Sequence, residues 1–175
     1  MRKRHAPRQA IAIQPGAGRR ILERQSLRDA VLASLIVIIL FSILWAMLST
    51  LTNRVLPWMT VLLGVIIGFA VRRAGQGVDW RFPALAAVAA VVGALASNIV
   101  VAAAFTARLL ETSTLTVLRA TTVMTWPVFF DEVMTPADAV YALLAAAVAA
   151  FYANRRLSRA EYLALRQWQE YGDDG

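Results

Sequence analysis

The sequence predicts an all-α, polytopic membrane protein with four transmembrane helices, and three observations carry that prediction. Of 175 residues, 59% are hydrophobic and 17% charged, with a mean hydropathy of +0.58. An average soluble domain is roughly 45–50% apolar and about 25% charged, so one small core cannot hide this much apolar surface. Charged residues bracket uninterrupted apolar stretches of spanning length. The stretches lack period-two alternation, the mark of a membrane barrel strand, so their backbone groups must be satisfied within helices, because lipid offers them no partner.

The elements follow in order. Residues 1–29 form a basic cytoplasmic arm and helix lead-in: residues 1–20 hold Arg2, Lys3, Arg4, Arg8, Arg19 and Arg20, no acid, and a Pro15-Gly16-Ala17-Gly18 breaker, and residues 21–29 lead as a helix into the first span. Asp29 and Arg54 bracket 24 uncharged residues, Arg54 and Arg72 bracket 17, and Arg81 and Arg108 bracket 26. A span needs roughly 17–25 apolar residues, which places the spans at about 30–50, 55–72 and 82–106. The first stretch is too long for the apolar part of a cleaved leader, about 7–15 residues, and is read as an uncleaved span. The fourth span, 136–154, opens with Thr135-Pro136-Ala137-Asp138: a threonine N-cap, a proline in the first turn and a carboxylate for the free N–H groups. The Ala-rich runs of the third and fourth spans have high helix propensity.

Charge sets the orientation. With four spans, the arm, the loop around Arg72, Arg73 and Arg81, and the C-terminus share one side; only Arg54, Arg108 and Arg119 of the 18 basic residues lie on the other. Loops rich in Arg and Lys stay cytoplasmic, so both termini are expected inside, in a bacterial inner membrane. Trp80, Phe82, Phe151 and Tyr152 are expected as anchors at the inner interface, and Trp58, Trp126, Phe129 and Phe130 at or near the outer one. Arg72, Arg73, Trp80, Arg81, Arg155 and Arg156 are the residues expected to meet anionic lipid headgroups. The charge pattern is accounted for by orientation, so nucleic acid is not an expected partner despite the net charge of +7.

Two segments outside the spans carry unpartnered apolar surface. In the long external loop 107–135, Leu109, Leu110, Leu115, Val117, Leu118, Val123 and Met124 alternate with threonines before Trp126-Pro127-Val128-Phe129-Phe130. It reads as an interfacial helix, a docking surface or a lid. The tail 157–175 begins with the capping box Ser158-Arg159-Ala160-Glu161 and sets Leu157, Ala160, Ala164, Trp168 and Tyr171 on one face of an amphipathic helix. Trp126, Phe129, Phe130 and Trp168 are the candidate partner-docking residues.

Within the spans, Gly64-x-x-x-Gly68 lets helix backbones approach closely; Gly93 and Ser97 belong to a small-residue ladder with Ala89, and Ala86/Ala90/Ala94 and Ala145/Ala149/Ala153 form two more. Asn98, deep in the third span, is expected to face the bundle and bond Ser42, Thr60 or a carbonyl. No Asp, Glu, His, Lys or Arg lies within a predicted hydrocarbon region. Asp131, Glu132 and Asp138 are the outer acidic cluster, with too few ligands at fixed spacing for a metal. The absence of cysteine and the single His5 exclude thiolate zinc sites, disulfides and a histidine-based metal centre. No catalytic residue, cofactor or metal is expected. Ala74-Gly75-Gln76-Gly77 lacks a preceding strand, so it reads as a tight turn and not as a phosphate-binding loop.

The run Gly64-Val-Ile-Ile-Gly68-Phe-Ala-Val-Arg72-Arg-Ala-Gly75-Gln-Gly77-Val-Asp79-Trp-Arg-Phe82, followed by an Ala/Gly-rich span, Phe129-Phe130, Thr135-Pro136-Ala-Asp138 and a last span ending in Arg155-Arg156, resembles a group of small uncharacterised bacterial four-helix inner-membrane proteins. The likeness covers residues 30–156. It implies the four-helix topology and supplies no activity. A metal-ribbon segment that some relatives carry in place of the arm does not transfer to a chain without cysteine. Taken together, the residues favour a non-catalytic accessory or stabilising subunit of a membrane complex, whose partners are lipids and other subunits or a second copy. The alternative is a small transporter or channel with the 107–135 loop as its lid, and a membrane enzyme using Asp131, Glu132 or Asp138 comes third.

Overall fold

A computed structural model describes residues 23–120 and 135–154, together with 127, 158–159, 161–163 and 166. The described residues are helical, with no strand among them. Five helices follow in order: α1, Leu27–Thr52; α2, Met59–Gly75; α3, Arg81–Leu109; α4, Thr114–Ala120; and α5, Pro136–Ala153. Three of them, α1, α3 and α5, are long and apolar enough to cross a membrane, which marks the chain as a membrane protein. At 17 residues, α2 is about 26 Å long at 1.5 Å per residue, just short of a hydrocarbon core of about 30 Å.

The helix ends follow from local chemistry. Ser26 caps α1, its hydroxyl accepting from the Asp29 N–H at 3.2 Å, so residues 24–26 break the helix expected to run through residues 21–29. The cap places the charged Arg28 and Asp29 in the first turn of the span itself. At the far end, Asn53 adopts a left-handed φ of 52° and returns its N–H to the Ser49 carbonyl, a terminus that an asparagine tolerates better than most side chains. The expected start of α5 is present in full. Asp138 N–H donates to Thr135 Oγ1 at 3.3 Å and Thr135 N–H to Asp138 Oδ2 at 2.9 Å, with Pro136 in the first turn. Just past the end of α3, Glu111 turns the chain at φ 51°. Just before the short α4, the Ser113 hydroxyl accepts from the Thr116 N–H at 3.1 Å.

Residues 26–155 form one compact unit. Within it α2 and α3 touch each other and both touch α1 and α5, whereas α1 and α5 do not meet; α4 rests on α3. The core between these helices is made by Phe41, Trp45, Leu63, Ile67, Val71 and Phe82 with the small residues Ala86, Ala90, Ala145 and Ala149. The outward face of α1 is the reverse of a soluble helix: Leu35, Ile36, Leu40, Leu44 and Met47 are all more than half exposed, a contiguous apolar surface suited to lipid and not to water. The second unit comprises residues 1–25 and 156–175. In it the expected capping box at the tail is formed, with Ser158 N–H donating to Glu161 Oε2 at 2.8 Å and Glu161 N–H to Ser158 Oγ at 3.3 Å.

Candidate functional site

The sequence-predicted packing residues converge on one seam. A Cβ built on Gly64 would stand 2.4 Å from the Ala145 carbonyl oxygen, and one on Gly68 would stand 2.6 Å from that of Ala149. The glycine pair of α2 therefore lies directly on the alanine ladder of α5, backbone against backbone, and the close approach expected of the motif is made inside the bundle. Past Gly68 the seam continues into aromatic contact, with the rings of Phe69 and Tyr152 4.8 Å apart. Gly93 serves a looser crossing: its added Cβ would meet the Ile38 Cγ1 at 2.9 Å and the Leu63 Cδ2 at 3.2 Å, side-chain atoms that can give way.

Polar groups in the interior sit on α1 and its neighbours. Ser42 and Ser97, both buried, are joined hydroxyl to hydroxyl at 2.8 Å, and Ser42 Oγ also donates to the Ile38 carbonyl at 2.7 Å. A serine hydroxyl holds one hydrogen, so Ser97 is the donor to Ser42 and this bond ties α3 to α1. Ser42, expected to meet Asn98, thus pairs with the neighbouring Ser97; Asn98 is itself buried on α3. Among the described residues Trp45 Nε1 and Ser49 Oγ, one turn apart on α1, are fully buried without a hydrogen-bond partner. Ser49 is unusual here, since Ser34, Thr50 and Thr106 all bond the carbonyl four residues back. Each unpartnered group costs about 1–3 kcal/mol.

The loop between α2 and α3 gathers the predicted headgroup residues. Arg72 and Arg73 close α2 and are exposed, as are Trp80 and Arg81 at the start of α3. Arg81 Nε lies 3.4 Å from Asp79 Oδ2, an open ion pair worth about 0.2–1 kcal/mol. Phe82 departs from the expectation of an interface anchor. It is 2% exposed, and Gly75 and Gly77 close over its ring, the Cβ positions built on them standing 2.6 and 1.8 Å from its atoms. The apolar ring gains more from the core beneath the turn than from the interface, and the glycines are what allow the turn to sit on it. Gln76 between them is left-handed, at φ 46°.

At the opposite end of the bundle, a lateral groove of about 410 Å³ opens between α1 and α3, headed by Arg108, Thr112 and Thr114. Arg108 Nη1 donates to the Thr50 carbonyl, in the turn where helix carbonyls lack intrahelical partners and a cation is favoured. The sequence held a signal for this contact, an arginine in the last turn of a long helix, but gave no indication that its partner is the end of another helix. The orphaned Trp45 and Ser49 had no such signal.

Of the remaining candidates, Trp126, Phe129, Phe130, Arg155, Arg156 and Trp168 lie outside the described residues, as do Asp131 and Glu132. Among the described residues no group of three His, Cys, Asp or Glu gathers at one place. Comparison of the chain with protein-family models, with curated proteins and with solved structures finds no match.

Proposed function

We propose that the protein is a non-catalytic accessory or stabilising subunit of a larger membrane protein complex, seated in a bacterial inner membrane as a four-span bundle with both termini in the cytoplasm. The observation that carries the reading is a filled interior. Trp45, Leu63, Ile67 and Val71 are fully buried and follow one another along the bundle axis, while the charged residues of the described bundle, from Arg28 and Asp29 to Arg119 and Asp138, lie in the first or last turns of helices or in the turns between them. Such a bundle is suited to holding and being held. In this reading α2 is a span as well, the turn at residues 57–58 before it completing the crossing, and Arg72, Arg73, Trp80 and Arg81 rest among anionic headgroups, each cation contributing on the order of 1 kcal/mol. The apolar loop beyond α4 and the tail after Ser158 face partner subunits.

Two experiments test this. A topology reporter fused after Tyr171 should behave as cytoplasmic and one placed at Ser113 as external; the reverse pattern overturns the orientation. Purification in mild detergent with mass spectrometry of co-migrating proteins should recover reproducible membrane partners in fixed ratio. Recovery of a monodisperse monomer alone overturns the accessory role.

A further inference from the structure

The groove between α1 and α3 has an ordered chemistry. At its mouth stand the Arg108 guanidinium and the hydroxyl residues Thr112 and Thr114; below them the walls are Ile43, Met47, Ala104 and Val100. From Arg108 to Val100 the α3 backbone descends about 12 Å at 1.5 Å per residue, within one leaflet of a hydrocarbon core about 30 Å thick. The bond to the Thr50 carbonyl uses one of the five N–H donors of the guanidinium and holds it across the mouth. Among the described residues no carboxylate pairs with Arg108.

We infer that this groove is a binding site for one phospholipid with an anionic headgroup, its phosphate on Arg108 and one acyl chain lying along Ile43, Met47 and Ala104. The order of the site, cation and hydroxyls at the helix ends and apolar walls beneath, is that of such a lipid. Its volume belongs to the small-molecule class, about 300–1,000 Å³, and a packed helix needs a broad face. Its wall residues Ile43 and Met47 are themselves more than half exposed, so the groove is open along the apolar face of α1, where lipid would reach it. Guanidinium forks bind phosphate oxygens in pairs, and the anchored Arg108 retains donors for that purpose.

The test uses the full chain reconstituted in phosphatidylcholine vesicles doped with spin-labelled phosphatidylglycerol or spin-labelled phosphatidylcholine, read as the immobilised fraction by electron paramagnetic resonance. The wild-type protein should prefer phosphatidylglycerol about fivefold, the worth of one arginine against a headgroup of net negative charge, since the choline cation of phosphatidylcholine offsets its own phosphate. Arg108→Gln should abolish the preference, whereas Arg119→Gln, the same charge removed elsewhere on that side, should leave it intact. Met47→Trp fills the groove without touching the cation and should also remove the immobilised lipid, so the inference stays testable if Arg108→Gln fails to fold. Equal retention of the two lipids, an equal loss in Arg119→Gln, full retention in Met47→Trp, or displacement of the lipid by inorganic phosphate alone would each overturn it. The inference rests on the helices spanning a membrane, which alkaline extraction of the same membranes reads separately. Partner recovery plays no part in it, so the accessory role and the lipid site stand or fall independently.

Discussion

Gly64→Val should destabilise the bundle by about 3 kcal/mol, at the upper end of the cost of overpacking, measured as loss of helical circular dichroism on titrating the micelle-embedded protein with a denaturing detergent. On an isolated helix the substitution would have the opposite sign, since glycine costs about 1 kcal/mol relative to good helix formers. The tertiary contact reverses that preference. The new Cβ would stand 2.4 Å from the Ala145 carbonyl oxygen and 2.8 Å from its Cα, both main-chain atoms of a helix that cannot flex aside. Ordinary contact begins near 3.4 Å, so the two helix axes must part by about 1 Å, and separation on that scale already forfeits a quarter to a half of each contact's attraction. The same clash repeats one turn along at Gly68, where the Tyr152 Cβ is a second obstacle at 2.8 Å. In contrast Gly93 faces side-chain atoms, the Ile38 Cγ1 and the Leu63 Cδ2, and no backbone, so Gly93→Ala should cost less than Gly64→Val. Unchanged or increased stability in Gly64→Val would show that α2 and α5 do not meet along this seam.

The second large effect belongs to the turn after α2. Gly77→Ala should cost about 3 kcal/mol, because its Cβ would fall 1.8–2.1 Å from three atoms of the Phe82 ring. The ring has no free side to turn to, with Gly75 and Ala30 packed around the same place. It must leave the core, giving up roughly the 1.5–3 kcal/mol that burial of a phenylalanine contributes. The double variant is diagnostic. Phe82→Ala alone should cost about 3–5 kcal/mol, and adding Gly77→Ala to it should cost almost nothing further, since the obstructing ring is gone. Strict additivity of the two changes, in the same detergent titration, would mean that the residues do not touch.

Much of this fold was legible because the constraints that make it are local. Charged residues at Asp29, Arg54, Arg72, Arg81 and Arg108 cannot enter hydrocarbon without a large penalty, so their positions bracket the helices to within a few residues. The Thr135 cap reads directly because its hydrogen bonds join residues three apart. The Ser26 cap obeys the same rule, and its consequence, a break before α1, was hidden by the good helix formers Glu23, Arg24 and Gln25 that precede it. The candidate site was legible in kind. Gly64 and Gly68 announce a close helix contact, Arg72 and Arg73 a polar boundary, Ser97 and Asn98 a buried polar step.

What residue types and spacing determined by themselves is therefore a set of apolar helices, their ends, and the faces on which small residues gather, since each depends on solvation or on bonds within one or two turns. Which face meets which helix was decided by the tertiary structure. Gly64 and Gly68 rest on Ala145 and Ala149, some eighty residues away in the chain; Ser42 takes Ser97 rather than Asn98; Phe82 lies under the turn and not at the interface; Arg108 reaches the end of α1. Alanine faces on α3 and α5 are nearly interchangeable as surfaces, so no local rule chooses among them. The choice falls to shape, because dispersion between packed atoms decays within an ångström of contact, and only the assembled bundle brings the right backbones that close.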